Sequence, residues 1–107
     1  MQSLPEHTTP QERLLLAAIL ISGHLPNLQP HLDDFTPAAL RVWTAASALG
    51  QLGEDINSVN VWRQDKAIDP VGLCEIMAAF PIDLPSKHLD LMVMAFEGER
   101  RRQREAA

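Results

Sequence analysis

The chain has 107 residues, 46% of them hydrophobic, and a formal charge of −5. That length makes one domain near the lower end of what buries a self-sufficient core, and that hydrophobic fraction argues against disorder. No apolar run reaches the roughly 18 residues that span a membrane, the opening MQSLPEHTT lacks the basic start and apolar stretch of a signal peptide, and the single cysteine, Cys74, excludes an internal disulfide and a multi-thiolate zinc site. A reducing, cytoplasmic setting is therefore expected. The charge is uneven. Residues 1–96 carry eleven acids and five bases, a net of −6, whereas Arg100, Arg101, Arg102 and Arg104 cluster near the end. A body of that sign is repelled by phosphates, so direct nucleic-acid binding is expected to be weak or absent, with only the tail available for it.

In chain order, Thr9-Pro10-Gln11-Glu12 is a capping box with Thr9 as N-cap. Leu15, Leu16, Ile19 and Leu20 supply the apolar face of the helix that follows, and Gly23 ends it. Two prolines confine residues 24–32 to a short helical turn, with Leu25, Leu28 and Leu32 expected against the core. Thr36 then reads as an N-cap, Pro37 as the first helical residue and Gly53 as the stop. Val42, Trp43, Ala46 and Leu49 share one stripe of that helix, and its many alanines let neighbours approach closely around Trp43. It is expected to be the central helix.

Asn57 is the N-cap of a short helix over residues 58–64, with Val59, Trp62 and Val61 as its inward candidates. Asp69-Pro70 repeats the cap-then-proline start, and Leu73, Ile76, Met77 and Phe80 form the next stripe until Phe80-Pro81 stops it. Ser86 is expected to cap a last helix that runs from about Lys87 into the arginines. No segment alternates with a period of two, so the fold predicted is all-α, a small orthogonal bundle of about five to six helices. The expected core includes Leu15, Leu16, Ile19, Phe35, Val42, Trp43, Leu49, Trp62, Ile76 and Phe80. Residues 1–85 make a globular head and residues 86–107 a C-terminal helix with a basic tail, one domain together.

In the last helix Leu89, Leu91, Met92, Val93, Met94 and Phe96 crowd apolar groups around much of the circumference. Such a helix has to be covered on more than one side. Two readings follow: a central core helix, or a helix that projects as part of a hairpin and pairs with another chain through Leu89, Met92, Val93 and Phe96.

The series PQERLLLAAIL, HLDDFTPAALRVWTAASALGQLGEDINSVNVWRQ and DPVGLCEIMAAFP resembles the N-terminal domain of bacterial replicative DNA helicases of the DnaB type. Glu12, Leu15, Leu16, Ile19 and Leu20 match that family's E-x-x-L-L-G-A-L-L helix, and Asp34 and Phe35 match its D-F turn. Val42, Trp43, Ala46, Leu49 and Gly53 match its third helix, Ile56, Asn57 and Val61 its fourth signature, and Val71, Gly72, Ile76, Met77 and Phe80 its V-G-G helix. The likeness covers roughly residues 10–96 and rests on an ordered set of apolar positions and a few turn residues. Ala17 and Leu73 stand where the family has glycines, and the family's P-S-A-A-N segment is LPSKHL here. The resemblance implies a non-catalytic role in DNA replication. In that family the domain forms a collar above the motor ring, self-associates partly through a helical hairpin, and contacts the primase and sometimes the helicase loader.

No G-x-x-x-x-G-K-[ST] loop is present to cradle phosphates, so a nucleotide-driven motor is not expected in this chain. His7, His24, His31 and His88 lack the spacing of a metal site, although His24 and His31 flank the proline-rich turn. Cys74 has no neighbouring cation to activate it and is expected to be a small buried side chain. Asp33-Asp34 reads either as a carboxylate pair or, more simply, as a turn before a helix N-terminus. No catalytic residue, cofactor or metal is expected. The function expected is a protein-interaction module of a replicative helicase, self-associating as a dimer or larger and binding a primase or loader. Two alternatives stand beside it: an adaptor whose Arg100, Arg101, Arg102 and Arg104 grip phosphates, and the helicase-binding domain of a primase.

Overall fold

The computed structural model describes residues 4–79 and 88–106. Helix α1, Pro10–Ser22, starts on the capping box: the Thr9 hydroxyl accepts from the Glu12 N–H, and Glu12 Oε1 accepts from the Thr9 N–H at 2.8 Å. Gly23 closes it at φ 73°, its N–H donating back to Ile19. Helix α2, Pro37–Leu52, has Thr36 as its cap and ends on Gly53 at φ 72°. Asn57 caps α3, Ser58–Gln64, through the Asn60 N–H. Asp69 caps α4, Pro70–Ala78, and α5 is Leu89–Ala106. Two 3₁₀ turns, Pro5–His7 and Leu32–Asp34, precede α1 and α2. Among the described residues the fold is all-α, five α-helices and no strand. The Ser86 cap and Phe80 lie outside the described residues.

The hub is α1, not α2. It packs against α2, α4 and α5, while α2 packs against α1 and α3. Leu15, Leu16, Ala17 and Ile19 are inaccessible or nearly so, which explains why a helix this central needs small and aliphatic groups all along its inward side. Phe35, Val42, Trp43, Leu49 and Ile76 join them in the core. Trp62 is only half-buried and Val59 is exposed; Val61 is the inward residue of α3. A seven-residue helix has two turns to offer, so one side chain reaches the core and its neighbours flank it. Gly72 is buried where α4 meets the N-terminal turn: a Cβ there would lie 2.6 Å from Leu4 Cβ, so the close approach requires glycine.

Between α1 and α2 the expected helical turn is displaced to Leu32–Asp34, and the inward residues differ. Leu28 and Leu32 are 44% and 50% exposed, whereas Pro26 and Pro30 are buried and Leu25 packs partly on the core. Proline carries no N–H, so burying it leaves no donor unmet.

Helix α5 does not project along its first turns. Leu89, Val93 and Phe96 are at most 2% exposed and belong to the same core as α1. Phe96 stacks on Phe35 with ring centroids 4.7 Å apart, and Phe35 stacks on Trp43 at 5.7 Å. This aromatic row ties α5 to α2 through the D-F turn.

Candidate interaction surface on the last helix

Seven residues make almost two helical turns, so side chains spaced by seven lie in one row along a helix. Asp90, Glu97 and Arg104 form such a row on α5, and each holds the segment between α1 and α2. Asp90 Oδ1 accepts from the N–H groups of Asn27 and Leu28 at 2.7 and 3.0 Å. Glu97 Oε1 accepts from the His31 N–H at 2.6 Å. Arg104 Nη1 donates to Asp34 Oδ1 at 2.9 Å. The row rises about 21 Å along the helix, and beside it the strap runs from residue 27 into the Leu32–Asp34 turn.

The strap thus lies beside α5 and runs in the same direction, with the Asn27, Leu28 and His31 N–H groups satisfied by α5 side chains and the Asp34 N–H by the His31 carbonyl. Asp34 is buried and its Oδ2 has no hydrogen-bond partner among the described residues, so the Arg104 guanidinium is what compensates its charge. Asp33, next to it, is exposed. The two carboxyls therefore face different environments and do not form a pair.

With Leu89, Val93 and Phe96 turned inward, the face expected to pair with another chain is occupied by the chain's own core. Met92 sits at its half-buried margin. What α5 turns to solvent instead is Leu91 and Met94, 58% and 59% exposed. Leu28 and Leu32, on the strap, are exposed as well. Among the described residues, four of the seven exposed large hydrophobic side chains thus lie on α5 and the strap it holds.

The tail arginines are mostly engaged. Arg100 donates to Gln103 at 3.0 Å, Arg102 pairs with Glu99 at 2.9 Å, and Arg104 is held by Asp34; among the described residues Arg101 alone of the four makes no side-chain bond. The helix runs unbroken through Gly98, so these residues ride on α5 rather than on a separate tail.

Elsewhere, His24 and His31 are exposed, and no three His, Cys, Asp or Glu side chains among the described residues stand close enough to hold a metal ion. Cys74 is exposed rather than buried, because the inward stripe of α4 is Gly72, Leu73 and Ile76 and the next position turns about 100° away. Arg41 and Asp65 form an exposed ion pair at 2.7 Å; the hydrogen bond from Arg41 holds the Asp65 carboxyl below the usual aspartate value, and the same bond raises the Arg41 guanidinium. No described helix is long and apolar enough to cross a membrane.

The row Asp90, Glu97, Arg104 is visible in the sequence as a seven-residue spacing, but nothing local says what it grips. Leu28 and Leu32 read as core residues in the sequence, and only the placement of the strap turns them outward. Comparison with protein-family models, with curated proteins and with solved structures gives no match to this chain.

Proposed function

We propose that this chain is a non-catalytic protein-interaction domain of DNA replication, of the kind that forms the collar of DnaB-type helicases, working in the cytoplasm with a primase or a helicase loader as partner. The replication assignment is supported by the order of motifs from Glu12 to Phe80; the interaction role is carried by the exposed apolar face of α5, Leu91 and Met94, with Leu28 and Leu32 exposed on the strap. Self-association is assigned to that outward face. Engagement of three of the four tail arginines by the chain's own side chains argues against the phosphate-gripping alternative.

The test is calorimetric titration of the whole chain with a bacterial primase, a helicase loader and a helicase collar in turn. Binding to primase or loader that is lost in the Leu91→Glu, Met94→Glu double variant is the expected result. Binding to the helicase collar alone would make this the helicase-binding domain of a primase. No binding to any of the three would overturn the replication reading.

A further inference from the structure

The outward side of α5 carries more than its two large exposed hydrophobic residues. Leu91, Met94, Ala95 and Gly98 recur at three and four residues, so they form one stripe, turned away from the buried Leu89, Val93 and Phe96. Leu91, Met94 and Ala95 are exposed. A Cβ added at Gly98 would have only the Arg102 guanidinium within 4 Å, at 3.7 Å, so among the described residues no other element covers that position. Ala95 and Gly98 add little bulk, which lets a second helix approach closely between Leu91 and the arginines.

One flank of the stripe carries a carboxylate and a cation. Asp90 and Arg101 are eleven residues apart, three turns and about 20° of further rotation, so they project on the same side. Asp90 holds the strap through Oδ1 alone, and Arg101 makes no side-chain bond among the described residues. About 16 Å of helix rise separates the two, too far for them to meet within one chain.

We propose that the occupant of this face is a second copy of the chain, its α5 antiparallel to the first and centred on the stripe. Met94 then faces the partner's Gly98, and Leu91 lies under the stem of the partner's Arg101, whose guanidinium reaches Asp90. The two-fold axis makes each contact twice. Charge sets the direction. Residues 1–96 have a net charge of −6, whereas four of the nine basic residues fall within residues 100–104. Antiparallel packing lays each basic end against the acidic half of the other copy and opposes the two helix dipoles; parallel packing would bring the two arginine clusters together. The proposal rests on the self-association assigned above and adds its direction and register.

The experiment is oxidative cross-linking of the whole chain, with Cys74→Ser as background so that no other thiol reacts. Leu91→Cys and Arg101→Cys are introduced in separate chains, and each is oxidised alone and as a mixture. Antiparallel pairing brings position 91 of one copy to position 101 of the other, and sets like positions about 15 Å apart, beyond the roughly 7 Å between Cα atoms that a disulfide spans. The mixture should therefore give a disulfide-linked heterodimer, read by mass spectrometry, and each variant alone should give little dimer. In parallel, sedimentation equilibrium should show dimer affinity at least about tenfold weaker in Arg101→Glu, with an unchanged thermal melt showing that the variant is folded. Like-with-like cross-links from each variant alone, or an affinity unmoved by Arg101→Glu, would overturn the antiparallel pair and leave self-association standing. A natural chain that never dimerises would overturn both, while primase or loader binding lost in the Leu91→Glu, Met94→Glu variant would still support the replication reading.

Discussion

Glu12 is charged and wholly buried, and its surroundings explain how that is tolerated. Its carboxylate accepts from the Thr9 N–H, from the Thr36 N–H at 2.6 Å and from the Thr36 hydroxyl at 3.0 Å. One side chain thereby fixes the starts of both α1 and α2. Glu12→Ala strands those donors away from water and is expected to destabilise the fold by about 3 kcal/mol, a fall of roughly 10–20 °C in melting temperature for a domain of this size. Glu12→Gln keeps the shape but sets an amide N–H against one of the donors, so about half that loss is expected by the same thermal melt. The Thr9–Glu12 half of this arrangement is legible as a capping box; the Thr36 half is not, because it joins residues 24 apart in sequence. Asp65 offers a test in pH. Its folded value lies below the usual 3.8, so the stability it adds is present above that value and is lost as pH falls through the lowered one. Denaturant melts of the natural chain and of Asp65→Asn should therefore differ slightly at neutral pH and converge in acid. Equal curves at every pH would show that this exposed pair adds nothing.

On α5 two apolar stripes compete, and local pattern cannot rank them. Leu89, Val93 and Phe96 recur at four and three residues, and Leu91 and Met94 recur at three, so either set makes a sound inward face. What decides is the polar row beside the first set, which anchors the strap and turns that side toward α1. The anchor is not uniform along the helix. Arg104 neutralises a buried carboxylate, whereas Arg101 has no partner among the described residues. Arg104→Ala is expected to destabilise the fold by about 2 kcal/mol, less than a fully buried pair because the guanidinium itself is open to water, and Arg101→Ala by no more than about 0.5 kcal/mol. Asp90→Ala breaks two bonds that water can replace, so its effect should be local: faster hydrogen exchange at the Asn27 and Leu28 amides with little change in the melt. Equal losses for the two arginine variants would mean that the ion pair to Asp34 does not hold the end of α5.

For the molecule as a whole, the central position of α1 sets which surfaces are left for partners. Helix α1 is covered by α2, α4 and α5, so these three present their outer sides to solvent. Of those sides, α5 and its strap carry exposed Leu28, Leu32, Leu91 and Met94. The order of helices and most of their ends were readable because the starts of α1 to α4 are marked by a cap-then-proline pair or an Asn and two stops by glycines. The hub was not, since the alanine-rich stripe of α2 and the aliphatic stripe of α1 look equally fit to lie at the centre. This layering makes the two faces of α5 separable by mutation. Phe96→Ala removes a ring with no exposure that stacks on Phe35, and it should destabilise the fold by about 4 kcal/mol. Leu91→Glu with Met94→Glu changes only exposed positions, so the melt should move by about 0.5 kcal/mol or less. Sedimentation equilibrium over rising concentration then reads the pairing role. The natural chain should self-associate, and the Leu91→Glu, Met94→Glu variant should remain monomeric while fully folded. A natural chain that stays monomeric throughout would remove self-association and leave the α5 face to a different protein.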